Sequence, residues 1–413
     1  MRKIIASLDI GDAKIKLVIG EIIRNKLNIL ACVETSSRGI KKGFIVNSES
    51  AIEALKEVFL KAEETIGIKP RKVIVSVPSN DVDCFITEGY TTITAEDKII
   101  SNNDIIRAMQ ASVYNKLDMN RELVTIMPTK YMINDTEVVD KPMGMTAEKL
   151  SIRAVAVTVP RKNVGTIIKC LEKIDIEVVD IAIGALADYY QFKNKSLDET
   201  TGAVVNIGAS KTEVSIFNKG IMTSTEVIDI GGDNVDYDLS YIYKINRRDS
   251  LYLKEFIALA DKNKAQPTEA MIFEDKHGDK IKINQFDASE IVMSRLEEIL
   301  NLVKKQINLL TKKQISYIII TGGTTETAEF KSLVGSMFKI ATVKDVTEIG
   351  ARNNSFSTAV GLIKYYDYRL KLRNKEFSVY DIEELEEISG VHKKVNISED
   401  SILGKLFGYF FDN

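Results

Sequence analysis

The six residues Asp9-Ile10-Gly11-Asp12-Ala13-Lys14 are echoed by Asn206-Ile207-Gly208-Ala209-Ser210-Lys211. Stretches rich in β-branched residues follow both copies, Ile15 to Ile19 and Thr212 to Phe217. Each copy therefore predicts a strand, a tight turn at glycine and a returning strand. A repeat spaced by about half the chain marks two similar halves, which suits a length of 413 residues, beyond what one core usually supports.

Each half continues with α/β material. Lys72 to Val77, followed by Pro78, predicts a strand ending at a turn, and Tyr317 to Thr321 predicts another, closed by the pair Gly322-Gly323. Between Ser289 and Leu310, the residues Val292, Leu296, Ile299, Val303, Ile307 and Leu310 recur at three- and four-residue steps, the pattern of a long amphipathic helix. In α/β sheets, ligands gather beyond the carboxyl ends of strands, where backbone amides are free to meet phosphate. The expected architecture is two β-rich halves clasping a nucleotide.

Composition removes several alternatives. With 56 Lys+Arg against 59 Asp+Glu, a formal net charge of -3 offers no general attraction to nucleic acid. Cys32, Cys84 and Cys170 are far apart and odd in number, which argues against a disulfide framework or zinc site. Two histidines, His277 and His392, leave little room for histidine metal sites or triads. Asp9 interrupts any leader-like apolar run, and no window is apolar enough to span a bilayer, so an intracellular protein is expected.

These motifs resemble those of the actin, Hsp70 and hexokinase superfamily and, within it, the bacterial cell-division family FtsA. Asp9-Ile10-Gly11 resembles the first phosphate hairpin, Asn206-Ile207-Gly208 the second, and Ile320-Thr321-Gly322-Gly323 the adenosine motif. The resemblance implies an α/β, actin-like fold with ATP and Mg²⁺ as cofactors. It also implies nucleotide contacts at Asp9, Gly11, Asp12, Ala13 and Lys14, at Asn206, Gly208, Ala209, Ser210 and Lys211, and at Gly322, Gly323 and Thr324. Asp9 is placed to hold Mg²⁺ through water. Lys14 and Lys211 could reach phosphate or stay in solvent as turn residues. Gly231-Gly232-Asp233 resembles the pair that opens the base-binding region, and Lys254 matches a helix that contacts ribose and base, although it could equally be a surface lysine.

Three departures stand out. Asp12-Ala13 replaces a usual hydroxyl and adds negative charge, Asn206 replaces an acid, and Thr324 replaces a small residue. Slow turnover, with nucleotide acting as a structural ligand, is the expectation.

Between the hairpins, Ile126 to Asn134, Pro142-Met143-Gly144-Met145 and Leu150 to Val159 resemble the subdomain peculiar to FtsA. The residues themselves predict a strand, a turn and a second strand with Ile152, Ala154 and Ala156 on one face. The family's division of the chain then gives subdomain 1A at 1–83 and 161–198, the filament contact 1C at 84–160, 2A at 199–230 and 301–372, and 2B at 231–300. Residues 373–398 are expected as an acidic, solvated linker. In 399–413, Ile402, Leu403, Leu406, Phe407, Phe410 and Phe411 fall at helical spacing, predicting an amphipathic helix that lies at a lipid interface.

The resemblance implies a peripheral protein on the cytoplasmic face of the cell membrane at the division site. It would polymerise head to tail and capture the C-terminal tail of FtsZ, with other divisome proteins as further partners. Arg295 matches a tail-contacting position and could also pair with Glu298. The alternatives are a pilus-type actin-like adaptor without FtsZ and, less favoured for want of an acid at 206, a small-molecule kinase.

Overall fold

The computed structural model describes residues 3–381 and Glu384. The first echo forms an antiparallel pair, Lys3–Ile10 with Lys14–Ile23, in which Ile10 faces Ile15 and Asp9 faces Lys16. Lys26–Ser36 extends it on one side, while Lys72–Val77 and Glu177–Ile183 add in parallel on the other. The second echo repeats this plan. Thr201–Ile207 pairs antiparallel with Thr212–Asn218, Ile221–Ile228 extends it, and Tyr317–Thr321 and Ala341–Val343 add in parallel. Both five-stranded sheets thus have a three-strand meander joined to two parallel strands. The parallel strands are reached through helical crossovers, as parallel pairing requires.

Two helices, Gly184–Phe192 and Ser357–Leu372, pack on each other between the sheets. Gly361 makes the approach possible, because a Cβ there would lie 2.5 Å from the carbonyl carbon of Ala187. Tyr189 stacks on Phe217 of the second sheet with ring centroids 4.2 Å apart, and Tyr190 meets Tyr365 edge-on at 5.1 Å. Such pairs add about 1 kcal/mol each beyond burial. The first sheet's core continues into Val204, Phe217, Met222 and Ile319 of the second. The two halves are therefore joined by packed apolar surface.

A separate four-stranded antiparallel sheet is inserted in the first half: Asp83–Thr92, Lys149–Pro160, Arg121–Ile133 and Glu137–Val139, in that order. Helix Asn102–Val113, closed by a Ser101–Asp104 capping box, covers one face. Ile152, Ala154 and Ala156 are buried as their alternation predicted, and Gly144 turns with φ +83° beside Pro142. The long helix runs over Gln285–Leu310, with Val292, Leu296, Ile299, Val303 and Ile307 buried.

The packed body does not stop at Leu372. Val379 and Tyr380 are buried, the Val379 N–H donates to Ile4 O at 2.9 Å, and the Tyr380 hydroxyl donates to Ile68 O at 3.2 Å. The start of the expected linker is thus folded, because its apolar side chains find a groove beside the first strand. The rest of the expected linker after Glu384 and the helix expected at 399–413, with its six apolar residues, lie outside the described residues.

Candidate functional site

The two echoed turns close alike. Gly11 N–H donates to Lys14 O at 3.1 Å, and Gly208 N–H donates to Lys211 O at 2.9 Å. The N–H groups of Asp12, Ala13, Ala209 and Ser210 make no hydrogen bond within the described residues, which leaves each turn with successive free donors. Consecutive free amides at a turn form an anion-binding concavity. The turns meet across the space between the halves, where the Ser210 hydroxyl donates to an Asp12 carboxylate oxygen.

The other glycine motifs converge on the second turn. Gly232 N–H donates to Gly208 O at 3.0 Å, Asp233 N–H to Ala209 O at 2.7 Å, and the Thr324 hydroxyl to Gly208 O at 2.9 Å. A side chain at Gly231 would run into Gly208 O and Ala209 O. Gly322 sits at φ +101°, with a Cβ position 2.6 Å from Ile207 O, so both its dihedral and its neighbours demand glycine. Gly323 has only Ser355 near it. Sites scattered from 208 to 324 in sequence thus become one floor.

Asp9 lies at the end of the first strand. It accepts from the Ser76 hydroxyl at 2.8 Å and faces the Lys16 ammonium at 3.6 Å. Among the described residues no three His, Cys, Asp or Glu side chains gather as a metal cage. A single strand-end carboxylate fits the way Mg²⁺ is usually held, by few protein ligands together with phosphate and water. Lys14 is engaged by Glu34 of the third strand, so it is not brought into this cluster. Lys211 is: its ammonium lies against Gly43 of the opposite half.

Asn206 is half-buried, and its side-chain amide is engaged. Its Nδ2 donates to Asp188 Oδ2 at 2.7 Å and to the Thr358 hydroxyl at 3.2 Å. Asp188, fully buried, also accepts from Ser357 at 2.8 Å and Thr358 at 3.0 Å. Across the ladder from Asn206 stands Glu213, buried, accepting from Ala185 N–H at 3.1 Å. Burial raises the Glu213 carboxyl above the ordinary range, opposed chiefly by Lys211. Sequence reasoning missed both acids. Glu213 had a signal, since an acid inside an otherwise apolar strand must have a partner. Asp188 looked like an ordinary helix residue.

Burial pushes Asp188 up to about 7 against the hydrogen bonds from Asn206 and Ser357. Between the ordinary carboxylate value and that point, the folded chain holds a proton that the unfolded chain has lost. Stability from this group is therefore fully present in acid and falls as pH rises through about 7, by up to about 4 kcal/mol. Urea unfolding is expected to give a lower free energy at about pH 8 than at about pH 5, with a flatter profile in Asp188→Asn. A wild-type profile that is level or rises across this range would contradict it.

Lys254, in the last turn of helix Arg247–Phe256, is not a free surface lysine. It pairs with the buried Asp236 at 2.7 Å. Asp233 is held by Arg247 at 3.2 Å. Arg295 forks onto Asp238 with contacts of 2.6 and 2.9 Å and also reaches Glu298. Beside it, helix Gly232–Tyr243 and its successor expose Tyr241, Ile242 and Phe256. Among the described residues no helix is long and apolar enough to cross a membrane.

Comparison with known proteins agrees with this layout. A family model described as cell division protein FtsA matches residues 203–361, and one described as the SHS2 domain inserted in FTSA matches 80–158. Cell division protein FtsA of Bacillus subtilis (strain 168) is 27% identical over 364 residues, covering 87% of this chain and 82% of the relative. The Pseudomonas aeruginosa protein of the same name is 26% identical, covering 88% and 89%. Among solved structures, a PilM-PilN type IV pilus biogenesis complex aligns with TM-score 0.57 and 13% identity over 87% of this chain and 97% of that one. MreB5 of Spiroplasma citri bound to ADP aligns with TM-score 0.57 and 13% identity over 90% and 98%. These structural likenesses bear on the fold, while the two family models and the near full-length relatives bear on lineage. The chain belongs to the FtsA family of cell-division proteins, with an actin-like fold and the inserted FtsA subdomain.

Proposed function

We propose that this chain binds ATP between its halves, polymerises head to tail on the cytoplasmic face of the membrane at the division site, and tethers FtsZ filaments there. The observation that carries the nucleotide reading is the pair of matched glycine turns with unengaged amides, meeting at Asp12 and Ser210. Asp9 would hold Mg²⁺ through water, and the ion would offset phosphate charge. The floor around Gly208, Gly231, Gly232, Gly322, Gly323 and Thr324 would seat the nucleoside, with Lys254 and Asp233 at its edge. MreB5 of Spiroplasma citri, which shares the fold, has been solved with ADP and with AMPPNP.

The inserted sheet at 84–160 would make the filament contact. The FtsZ tail would lie on 231–300, where Arg295 offers an acidic peptide a cation at the cost of its bond to Asp238. Ile402, Leu403, Leu406, Phe407, Phe410 and Phe411 would enter the lipid interface, and polymerisation would multiply that weak attachment. Other divisome proteins would join the assembled filament.

Liposome co-sedimentation of the full chain and of a chain ending at Glu399, with a fluorescent ATP analogue and an FtsZ tail peptide, tests this reading. The full chain is expected to pellet and to recruit peptide, the shortened one to stay in solution, and phosphate release to be slow. Nucleotide binding without lipid or peptide binding would favour a pilus-type adaptor instead. Brisk Mg²⁺-dependent release, abolished by Asp9→Ala, would overturn the slow-turnover part.

A further inference from the structure

The residue that departs most from an ordinary phosphate turn, Asp12, is not left facing solvent. One carboxylate oxygen accepts from Gly43 N–H at 2.7 Å and the other from the Ser210 hydroxyl of the opposite half. Gly43 belongs to a two-residue turn, with Lys42 at φ +52° and Gly43 at φ +80°, that tips the short hairpin Ile40–Lys41/Phe44–Ile45. Both central residues with positive φ make this the tight turn matched to strand twist. That hairpin tip also reaches across the cleft at a second point, where Lys42 pairs with Asp229 at 2.6 Å. A carboxylate, two donors from separate segments and a cross-cleft ion pair thus close the space between the glycine turns.

We infer that Asp12 is a specificity-determining residue of the cleft: its carboxylate stands beside the free turn amides and holds the Ser210 hydroxyl, an internal anion that a nucleotide phosphate must displace or tolerate. The inference rests on the nucleotide reading above. It follows from the charge and the donors together. The Ser210 hydroxyl and the free amides beside it are the groups a terminal phosphate would take, and Asp12 holds one of them already. An incoming phosphate either competes with the carboxylate for this donor or shares the cradle with a like charge, and both cost more for a triphosphate than for a diphosphate. A divalent cation relieves the repulsion, so discrimination against triphosphate is strongest without one. The Asp12 carboxylate also adds a direct polar tie between the halves.

Fluorescence anisotropy of ATP and ADP analogues on the full chain, with magnesium and with chelator, tests this. The wild type is expected to prefer the diphosphate about tenfold in chelator and to lose most of that preference with magnesium. Asp12→Asn, which keeps the shape and removes the charge, and Asp12→Ser are each expected to raise triphosphate affinity in chelator about tenfold. The double variant Lys42→Ala with Asp229→Ala, which removes a cross-cleft tie with no change in net charge, should leave the triphosphate-to-diphosphate ratio within about threefold of wild type. Thermal melts confirm that the variants fold. Unchanged or weaker triphosphate binding in both Asp12 variants, while nucleotide still binds, overturns the role of Asp12. Absence of nucleotide binding in every protein, with magnesium present, overturns the cleft reading itself.

Discussion

Gly361→Ala is expected to lower the unfolding free energy by about 3 kcal/mol or more, the upper end of overpacking costs. The added methyl would enter the backbone of helix Gly184–Phe192 at Ala187, and backbone cannot swing aside as a flexible side chain can. Separating the two helices would also loosen the contacts of Tyr189 with Phe217 and Tyr190 with Tyr365, which join the halves. Urea unfolding followed by circular dichroism measures the loss, and a change within about 0.5 kcal/mol would show that the helices can slide without cost. Gly165 and Gly335 provide internal comparisons. Both sit in helices with open space where a Cβ would go, so alanine at either should be neutral or slightly stabilising.

Lys254→Met is expected to cost about 3 kcal/mol at alkaline pH, because it strips the counter-ion from Asp236 while leaving that carboxylate buried. Asp236 is 3% exposed and Lys254 13%, so water cannot replace the lost ammonium. Burial already raises Asp236 above the ordinary range, and the lysine is what opposes this. Without it the folded-state value rises further. The penalty should shrink as pH falls toward the ordinary carboxylate range, where protonation removes the buried charge. A double variant, Asp236→Asn with Lys254→Met, should recover most of the stability at high pH. If the single variant loses equally at all pH values, its defect is packing of the lysine stem and not an unpaired charge.

Much of the frame was legible before the fold was seen. The echoed turns, the strands at 72–77 and 317–321, the long helix read at 289–310 and the glycine motifs all rest on local signals: period, β-branching and residues that tolerate tight turns. The inserted sheet was visible for the same reason in the alternation of Ile152, Ala154 and Ala156. Less legible were the partners of charged groups. Lys254 presents the same sequence signature whether it meets solvent, ribose or Asp236, and Lys14 gives no local hint that Glu34 awaits it. The Asp12 charge was visible, but the donors to its carboxylate, Gly43 N–H and the Ser210 hydroxyl, come from segments far away in sequence. The same holds at the C-terminal side, where Val379 and Tyr380 found a groove that composition alone read as solvent.

By itself the sequence determined the two-halved plan, the strand–turn–strand echo in each half and the long amphipathic helix, because these depend on residues within a few positions of one another. Only the tertiary structure decided that Asp188 and Glu213 are buried beside Asn206, what pairs with Asp9, Asn206 and Lys254, and that Asp12 spans from one half to the other. Those outcomes are set by long-range packing and by the cost of leaving a buried charge without a partner, and neither is written in local periodicity.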